Sequence, residues 1–163
     1  VLFPRVLEAA RRGVLPRFTG QAGPVLGDLI YIDALSDYVL AAATHPDPAP
    51  SYNLTNGEPV DLQAVLLDTL ARLGVPGPRR RMRIGVALRA ASVVEGAWRV
   101  PGIRSEPPLT RFGIGVFAYG KTFDSSRTQR DFGPPTVSIA DGLDRFVAWQ
   151  RAQWDRAARG AGA

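Results

Sequence analysis

Cysteine is absent from the 163 residues, and histidine occurs once, as His45. Without cysteine the chain has no disulfide, no thiolate nucleophile and no zinc–thiolate site. A single histidine also excludes a metal site built from several histidine ligands. The sequence contains no Gly-x-Ser-x-Gly motif of the kind that presents a nucleophilic serine. These absences remove the commonest kinds of metal-dependent and nucleophilic catalysis from the chain itself.

Lysine is almost absent too, because Lys121 is the single lysine among 20 basic residues. The net charge is +5, but the charge is spread along the chain and no nucleic-acid-binding motif accompanies it. We therefore expect no nucleic-acid partner. No apolar run approaches the roughly 20 residues that span a bilayer. Pro4 and Arg5 interrupt the first apolar residues, so we expect no signal peptide and a cytoplasmic protein.

The composition is that of a globular chain, with 45% hydrophobic and 21% charged residues. The length suits one ordinary domain, which we place at residues 1–157, followed by a disordered tail at 158–163. Apolar periodicity predicts helices over residues 3–12, 33–44, 62–73, 84–98 and 110–119 and a last helix that begins at 139, and Asp124 is expected to cap a short helix that ends before Gly133. Asp33 and Asp61 are predicted to begin two of them as N-caps. Ser138-x-x-Asp141 has the spacing of a capping box.

Predicted strands are few and short, at residues 28–32, 51–54, 79–83 and 121–123, with a loop over 15–27. Strands that alternate with helices indicate an α/β fold, but so few strands do not make a self-sufficient sheet. The arginine-rich run at 79–83 has two interpretations. It is either an edge strand protected by charge, which we favour, or a site for phosphate groups.

Both sequence marks of a nicotinamide-dependent enzyme are missing. A dinucleotide-binding turn follows a strand and opens a helix, whereas Gly20, Gly23 and Gly27 precede a predicted strand. Tyr119 and Lys121 are two residues apart, so they do not share a helix face. The chain itself therefore shows no catalytic residue and no cofactor-binding residue.

Several segments, in this order, resemble the extended short-chain dehydrogenase/reductase family. They are residues 28–33, 52–60, 123–127, 131–135 and 137–143. Within the family the 3β-hydroxysteroid dehydrogenase type is the most similar, through Glu95-x-x-Trp98-Arg99 and residues 106–112. These two segments are similar to those of bacterial sterol dehydrogenases and of 2-alkyl-3-oxoalkanoate reductases. The resemblance extends from about residue 2 to residue 150.

The resemblance implies a helix-rich, C-terminal α/β part of an extended Rossmann-type dehydrogenase, without the N-terminal dinucleotide-binding sheet. In the family, the cofactor fingerprint and the Tyr-x-x-x-Lys pair lie N-terminal to this region. NAD or NADP would then be bound mainly by that other half, supplied by the same chain or by a separate subunit. Loops 17–28 and 98–112 would form the walls of the substrate pocket. The expected substrate-binding residues are Phe18, Val25, Leu26, Trp98, Ile103, Leu109 and Arg111.

The implied function is substrate binding for an oxidoreductase that acts on a carbonyl or secondary alcohol. The substrate would be apolar, either sterol-like or a long-chain 3-oxo acid, and this chain alone would be inactive. Gly27 stands where sugar-nucleotide relatives carry an arginine, which argues against a nucleotide-sugar epimerase or dehydratase fragment. A standalone, non-catalytic module that binds a ligand or complements another subunit is the main alternative. The resemblance also allows a homodimer.

Overall fold

The computed structural model describes residues 2–98 and 110–160, which form a helix-rich α/β fold with few short strands, as predicted. In chain order the elements of these ranges are α1 (Leu2–Arg11), β1 (Arg17–Thr19), β2 (Leu26–Gly27), α2 (Ile32–Thr44), β3 (Val60–Asp61), α3 (Leu62–Arg72), β4 (Arg81–Arg83), α4 (Ile84–Trp98), α5 (Arg111–Ala118), α6 (Ser126–Phe132) and α7 (Ile139–Gly160). Strands β1 and β4 form one two-stranded sheet, and β2 pairs with β3.

The chain divides into two compact units, and each unit is made of two separate stretches of sequence. Unit 1 comprises residues 1–26 and 61–121, and unit 2 comprises residues 27–60 and 122–163. The sequence alone predicts one region at 1–157 with a tail from 158. Helix α7 continues into that tail as far as Gly160, and residues 161–163 lie outside the described ranges.

Helix α3 supplies much of the interior of unit 1. Asp61 is its N-cap, as predicted, and its carboxylate accepts backbone N–H groups from Gln63 at 2.9 Å and Ala64 at 3.3 Å. The helix buries Leu62, Leu66, Thr69 and Leu70. Gly74, with φ +70°, follows the helix and lets the chain turn away, so the predicted end is also confirmed.

Helices α4 and α5 form a second cluster in unit 1. Ala87 and Ala91 of α4 are buried against Ile114 of α5, and small alanine side chains let the two helices approach closely. The Thr110 side chain caps α5 by accepting a hydrogen bond from Gly113 N at 3.0 Å. The predicted helices over 84–98 and 110–119 are therefore confirmed.

Unit 2 is organised around Phe132 at the end of α6. Its ring packs tilted on Tyr52, with 4.7 Å between ring centroids, and edge-on against His45 at 5.6 Å. His45 follows α2 as its C-cap, and its Nδ1 accepts from Asp47 N, so the single histidine has a structural partner. Tyr38 is buried, which raises the pKa of its phenol, and its hydroxyl donates to Gly133 O.

Ser138 caps the start of α7 as predicted, but only one of the two bonds of a capping box is present, because the Asp141 carboxylate binds the Ser138 hydroxyl instead of its backbone N–H. Asp141 N donates to Ser138 Oγ at 3.1 Å, while the Ser138 hydroxyl donates to the Asp141 carboxylate at 2.8 Å. Gly142, one residue further, lies so close to Tyr31 that a Cβ there would be 2.9 Å from the tyrosine Cβ. The first turn of α7 therefore packs tightly within unit 2.

The prediction of strands at 28–32 and 51–54 was wrong, because neither segment finds a pairing strand among the described residues. Helix α2 begins at Ile32 instead, with Tyr31 as N-cap, and Asp33 binds Arg145 at 3.0 Å rather than capping the helix. Residues 51–54 are held by side chains, since Thr128 donates to Asn53 O at 2.9 Å. The predicted strand at 121–123 shrinks to a single bridge at Lys121.

Asp124 provides a pH-dependent contact at the start of α6. Hydrogen bonds from the side chain and backbone of Ser126 hold the pKa of this exposed carboxyl below its ordinary value. A lowered folded-state pKa stabilises the fold above the ordinary value of about 3.9 and loses that contribution as the pH falls through the lowered pKa. We expect the protection factors of the α6 amides, which correct for the pH dependence of intrinsic exchange, to fall over this acid range. Hydrogen exchange measures the effect, and Asp124→Asn should remove most of its pH dependence; an unchanged profile in that variant would contradict this origin.

Candidate functional site

The two faces of the β1–β4 sheet carry different side chains. The strands are parallel, with Arg17 opposite Arg81, Phe18 opposite Met82 and Thr19 opposite Arg83. Because side chains alternate along a strand, each opposed pair shares one face. Phe18 and Met82 pack on the α4–α5 cluster. Arg17, Thr19, Arg81 and Arg83 therefore occupy the other face.

A cleft of about 460 Å³ lies over this polar face and is built entirely within unit 1. Its walls are β1, the loop that follows β1, the start of α3, and β4. The lining residues are Arg17, Phe18, Thr19, Gln21, Gly23, Pro24, Val25, Asp61, Gln63, Ala64, Leu67 and Arg81. The volume falls within the range of small-molecule sites.

Hydrogen bonds hold two walls of the cleft in place. The Gln21 side chain donates to Phe117 O at 3.1 Å, which ties the loop after β1 to α5. Val25 is buried, and its carbonyl accepts from Leu62 N at 3.1 Å, which ties the same loop to α3. Asp61 contributes a carboxylate to the lining, but one of its oxygens is already engaged in capping α3.

A smaller hollow adjoins the cleft and is mostly apolar. Its volume is about 20 Å³, enough for one or two small groups. Phe18 stands between the two hollows and stacks on Phe117, with 6.4 Å between ring centroids. The two hollows share Arg17, Phe18, Gln63 and Leu67, and the smaller one adds Leu15, Pro16, Leu66, Pro78 and Phe117. Charged and apolar surface therefore meet at Arg17 and Phe18.

The structure brings two of the sequence-predicted substrate residues together. Phe18 and Val25 both line the cleft. Leu26 is 44% exposed and does not line it; its carbonyl accepts from Lys121 N instead. Trp98 ends α4 and Arg111 begins α5, where Arg111 N donates to Glu95 Oε1 at 2.7 Å, and neither lines the cleft. Ile103 and Leu109 lie outside the described residues. Participation of all seven in substrate binding stays a prediction.

Reasoning from the sequence did not predict the polar lining as one site, although the arginine-rich run at 79–83 was considered for phosphate binding. Arg81 belongs to the arginine-rich run whose strand was predicted, but the strand's partner was not. Arg17 fell in a predicted loop that actually contains β1. Gln21 and Gln63 carry no sequence signal, because glutamines of this kind are common on any polar surface.

Other kinds of site find no support in the described part of the chain. Residues 2–98 and 110–160 contain no group of three or more His, Asp or Glu residues arranged to hold a metal ion. Tyr119 is the C-cap of α5 and Lys121 forms a bridge two residues later, so they do not form the catalytic pair of a dehydrogenase. None of the helices in these ranges combines the length and apolar character needed to cross a membrane.

The fold of this chain occurs as part of a larger protein chain. A solved structure titled "Crystal structure of gox2253" superposes with a TM-score of 0.58 and 20% sequence identity, over 93% of this chain and 43% of that one. A comparison with protein-family profiles found no match. At this identity the likeness concerns the fold alone.

The curated proteins that this chain is similar to are bacterial, and two of the three are named as reductases. The chain is 34% identical over 153 residues to the 2-alkyl-3-oxoalkanoate reductase of Stenotrophomonas maltophilia (strain K279a), which covers 90% of this chain and 46% of that protein. It is 35% identical over 154 residues to the protein of that name from Shewanella oneidensis, covering 90% and 39%. The uncharacterized protein YbjS of Escherichia coli (strain K12) is 28% identical over 134 residues.

The chain spans less than half the length of the curated relatives that it matches. The resemblance to these reductases that the sequence predicts is confirmed, and the partial span agrees with a C-terminal portion of a short-chain-dehydrogenase-type protein. Two of the three relatives carry the name of an oxidoreductase.

Proposed function

We propose that this chain is the substrate-binding portion of a nicotinamide-dependent oxidoreductase that acts on a 2-alkyl-3-oxo acid or a closely related compound. The observation that carries the proposal is the similarity over 90% of the chain to two proteins named for that reaction. The cleft over β1 and β4 supports it, because unit 1 alone provides an open cleft whose volume falls within the range of small-molecule sites.

In this proposal the chain does not itself bind the nicotinamide. The sequence has no glycine-rich turn between a strand and a following helix, and no tyrosine with a lysine four residues later. In this proposal NAD or NADP is bound by the half of the protein that these relatives carry in addition. The cofactor would supply the hydride, and this chain would bind and orient the substrate.

A chimera tests the proposal directly. The matched segment of the Stenotrophomonas reductase would be replaced by this chain, and consumption of NADH or NADPH would be followed with a 2-alkyl-3-oxoalkanoate. We expect reduction within about 100-fold of the parent rate, because a misplacement of about 1 Å costs up to that factor. The matched control carries the Shewanella segment in the same position. The isolated chain should give no turnover.

An inactive chimera can contradict the proposal. A chimera that folds and binds the nicotinamide but reduces no 2-alkyl-3-oxo acid would show that this segment does not select such substrates. If the isolated chain then still bound a small ligand, the non-catalytic binding module would become the better description. The non-catalytic binding module stays the second candidate function, because the cleft is formed by residues of unit 1 alone.

A further inference from the structure

Two arginines face each other across the β1–β4 pair and line the same cleft. Arg17 and Arg81 are Cα partners in the parallel register, about 5 Å apart across the strands. Both residues are exposed and line the cleft, while the intervening Phe18 and Met82 pack against the α4–α5 cluster. The register therefore places the two arginines side by side on adjacent strands, and both line the same cleft.

No acidic side chain neutralises these arginines within residues 2–98 and 110–160. Neither guanidinium has an ion-pair or hydrogen-bond partner there. Like charges directly opposite each other in a sheet are unfavourable. An anion held between them would turn this repulsion into two attractions.

We propose that Arg17 and Arg81 together bind the carboxylate of an acidic, amphiphilic substrate, and so select acids over neutral sterol-like compounds. This inference rests on the proposed function and adds to it the group by which the substrate is recognised. An arginine guanidinium presents its donors in a planar fork that matches the two oxygens of a carboxylate. Two such forks from adjacent strands would fix the orientation of the acid group.

The charge of the cleft fits a monoanion better than a diphosphate. The lining residues include two arginines, Arg17 and Arg81, and one carboxylate, Asp61, so their net charge is +1; Arg83 lies on the same face of the sheet but does not line the cleft. A carboxylate balances that charge, whereas a nucleoside diphosphate would leave an excess of negative charge. The sugar-nucleotide alternative is therefore disfavoured by charge, although phosphate shares the same chemistry of recognition.

The apolar surroundings account for the rest of an amphiphile. Phe18, Val25 and Leu67 line the cleft beside the arginines. The small apolar hollow shares Arg17 with the cleft and is lined by Leu66 and Phe117. A carboxylate on the arginines would place a short alkyl group at that hollow, while a long chain would have to follow the open cleft because about 20 Å³ cannot hold it.

Calorimetric titration of the full 163-residue chain tests the inference. An acid is compared with its neutral ester, and two phosphate compounds test the alternative ligands. The probes are 2-butyloctanoate, which lacks the unstable 3-oxo group, its neutral methyl ester, inorganic phosphate and uridine diphosphate. We expect the acid to bind more tightly than the ester, phosphate and uridine diphosphate. Arg17→Gln and Arg81→Gln should each weaken acid binding about 10- to 100-fold, the usual loss for a hydrogen bond to a charged group, and leave ester binding unchanged.

Arg89→Gln is the matched control, since Arg89 is an exposed arginine of unit 1 that does not line the cleft. Arg17→Lys and Arg81→Lys keep the positive charge but lose the planar guanidinium. If a glutamine variant fails to fold, the lysine variant at the same position is titrated instead, and weaker acid binding is again expected. No acid binding, equal losses in Arg89→Gln, unchanged binding in the arginine variants, or tighter binding of uridine diphosphate would each overturn the inference. An active chimera indifferent to both arginines would overturn it while leaving the proposed function intact.

Discussion

Leu70→Ala should lower the free energy of unfolding by about 2–5 kcal/mol, because Leu70 is fully buried. Truncation removes the transfer free energy of the leucine side chain and leaves a cavity that neighbours fill only in part. Leu70 lies on α3, and Val75 N donates to the Leu70 carbonyl at 2.9 Å, so the backbone that follows the helix is anchored at the same residue. The loss should therefore affect unit 1 as a whole.

Urea unfolding followed by circular dichroism measures this difference. Leu40→Ala is the matched control, since Leu40 is 65% exposed, and it should change the unfolding free energy by no more than about 0.5 kcal/mol. Comparable losses in the two variants would contradict the burial that the structure assigns to Leu70. Because the start of α3 also lines the cleft, the acid affinity of Leu70→Ala should fall as well.

Gly120→Ala should cost about 1–3 kcal/mol, the usual penalty for forcing an extra group into a packed site. A Cβ at this position would lie 2.7 Å from the carbonyl oxygen of Leu26 and 3.3 Å from its nitrogen. Both are backbone atoms, so no side-chain rotation relieves the contact. The same carbonyl accepts from Lys121 N at 2.9 Å, and the substitution should break that bond.

The Gly120→Ala experiment has its own control within unit 1. Gly77 also lies outside the helices, and a Cβ there would meet only Leu67 Cδ2 at 3.9 Å, an ordinary contact. Thermal and urea unfolding of Gly77→Ala should match those of the unaltered chain within about 0.5 kcal/mol. If Gly120→Ala were equally stable, Leu26 and Gly120 would have to be further apart than the structure places them.

Helices with strong local signals were predicted well from the sequence. Asp61 at the N-cap of α3 and Ser138 before α7 specify their helix starts through bonds to residues two or three positions away, which local sequence encodes. Strands failed for the opposite reason. Residues 28–32 have strand composition, but a strand also needs a partner, and none is found among the described residues. Strand β1 was missed because its partner, β4, is remote in sequence.

The candidate site was predicted only in part, because some of its features depend on local sequence and others on the pairing of remote segments. Phe18 and Val25 were predicted from their apolar character in a loop expected to line a pocket, and the structure places both at the cleft. The pairing of Arg17 with Arg81 depends on the register of two distant strands, which composition cannot reveal. Leu26 was assigned to the same wall, but it is exposed and is not among the residues that line the cleft.

The interleaved order of the two units has a consequence for how the protein acquires its structure. Strands β1 and β4 are about 60 residues apart in sequence, and all of residues 27–60, which belong to unit 2, lie between them. Joining such distant strands requires closure of a long loop before any pairing energy is gained, which raises relative contact order and slows folding. During synthesis unit 1 cannot complete its fold until its second stretch, residues 61–121, has been made. The floor of the cleft should therefore be among the later parts to form.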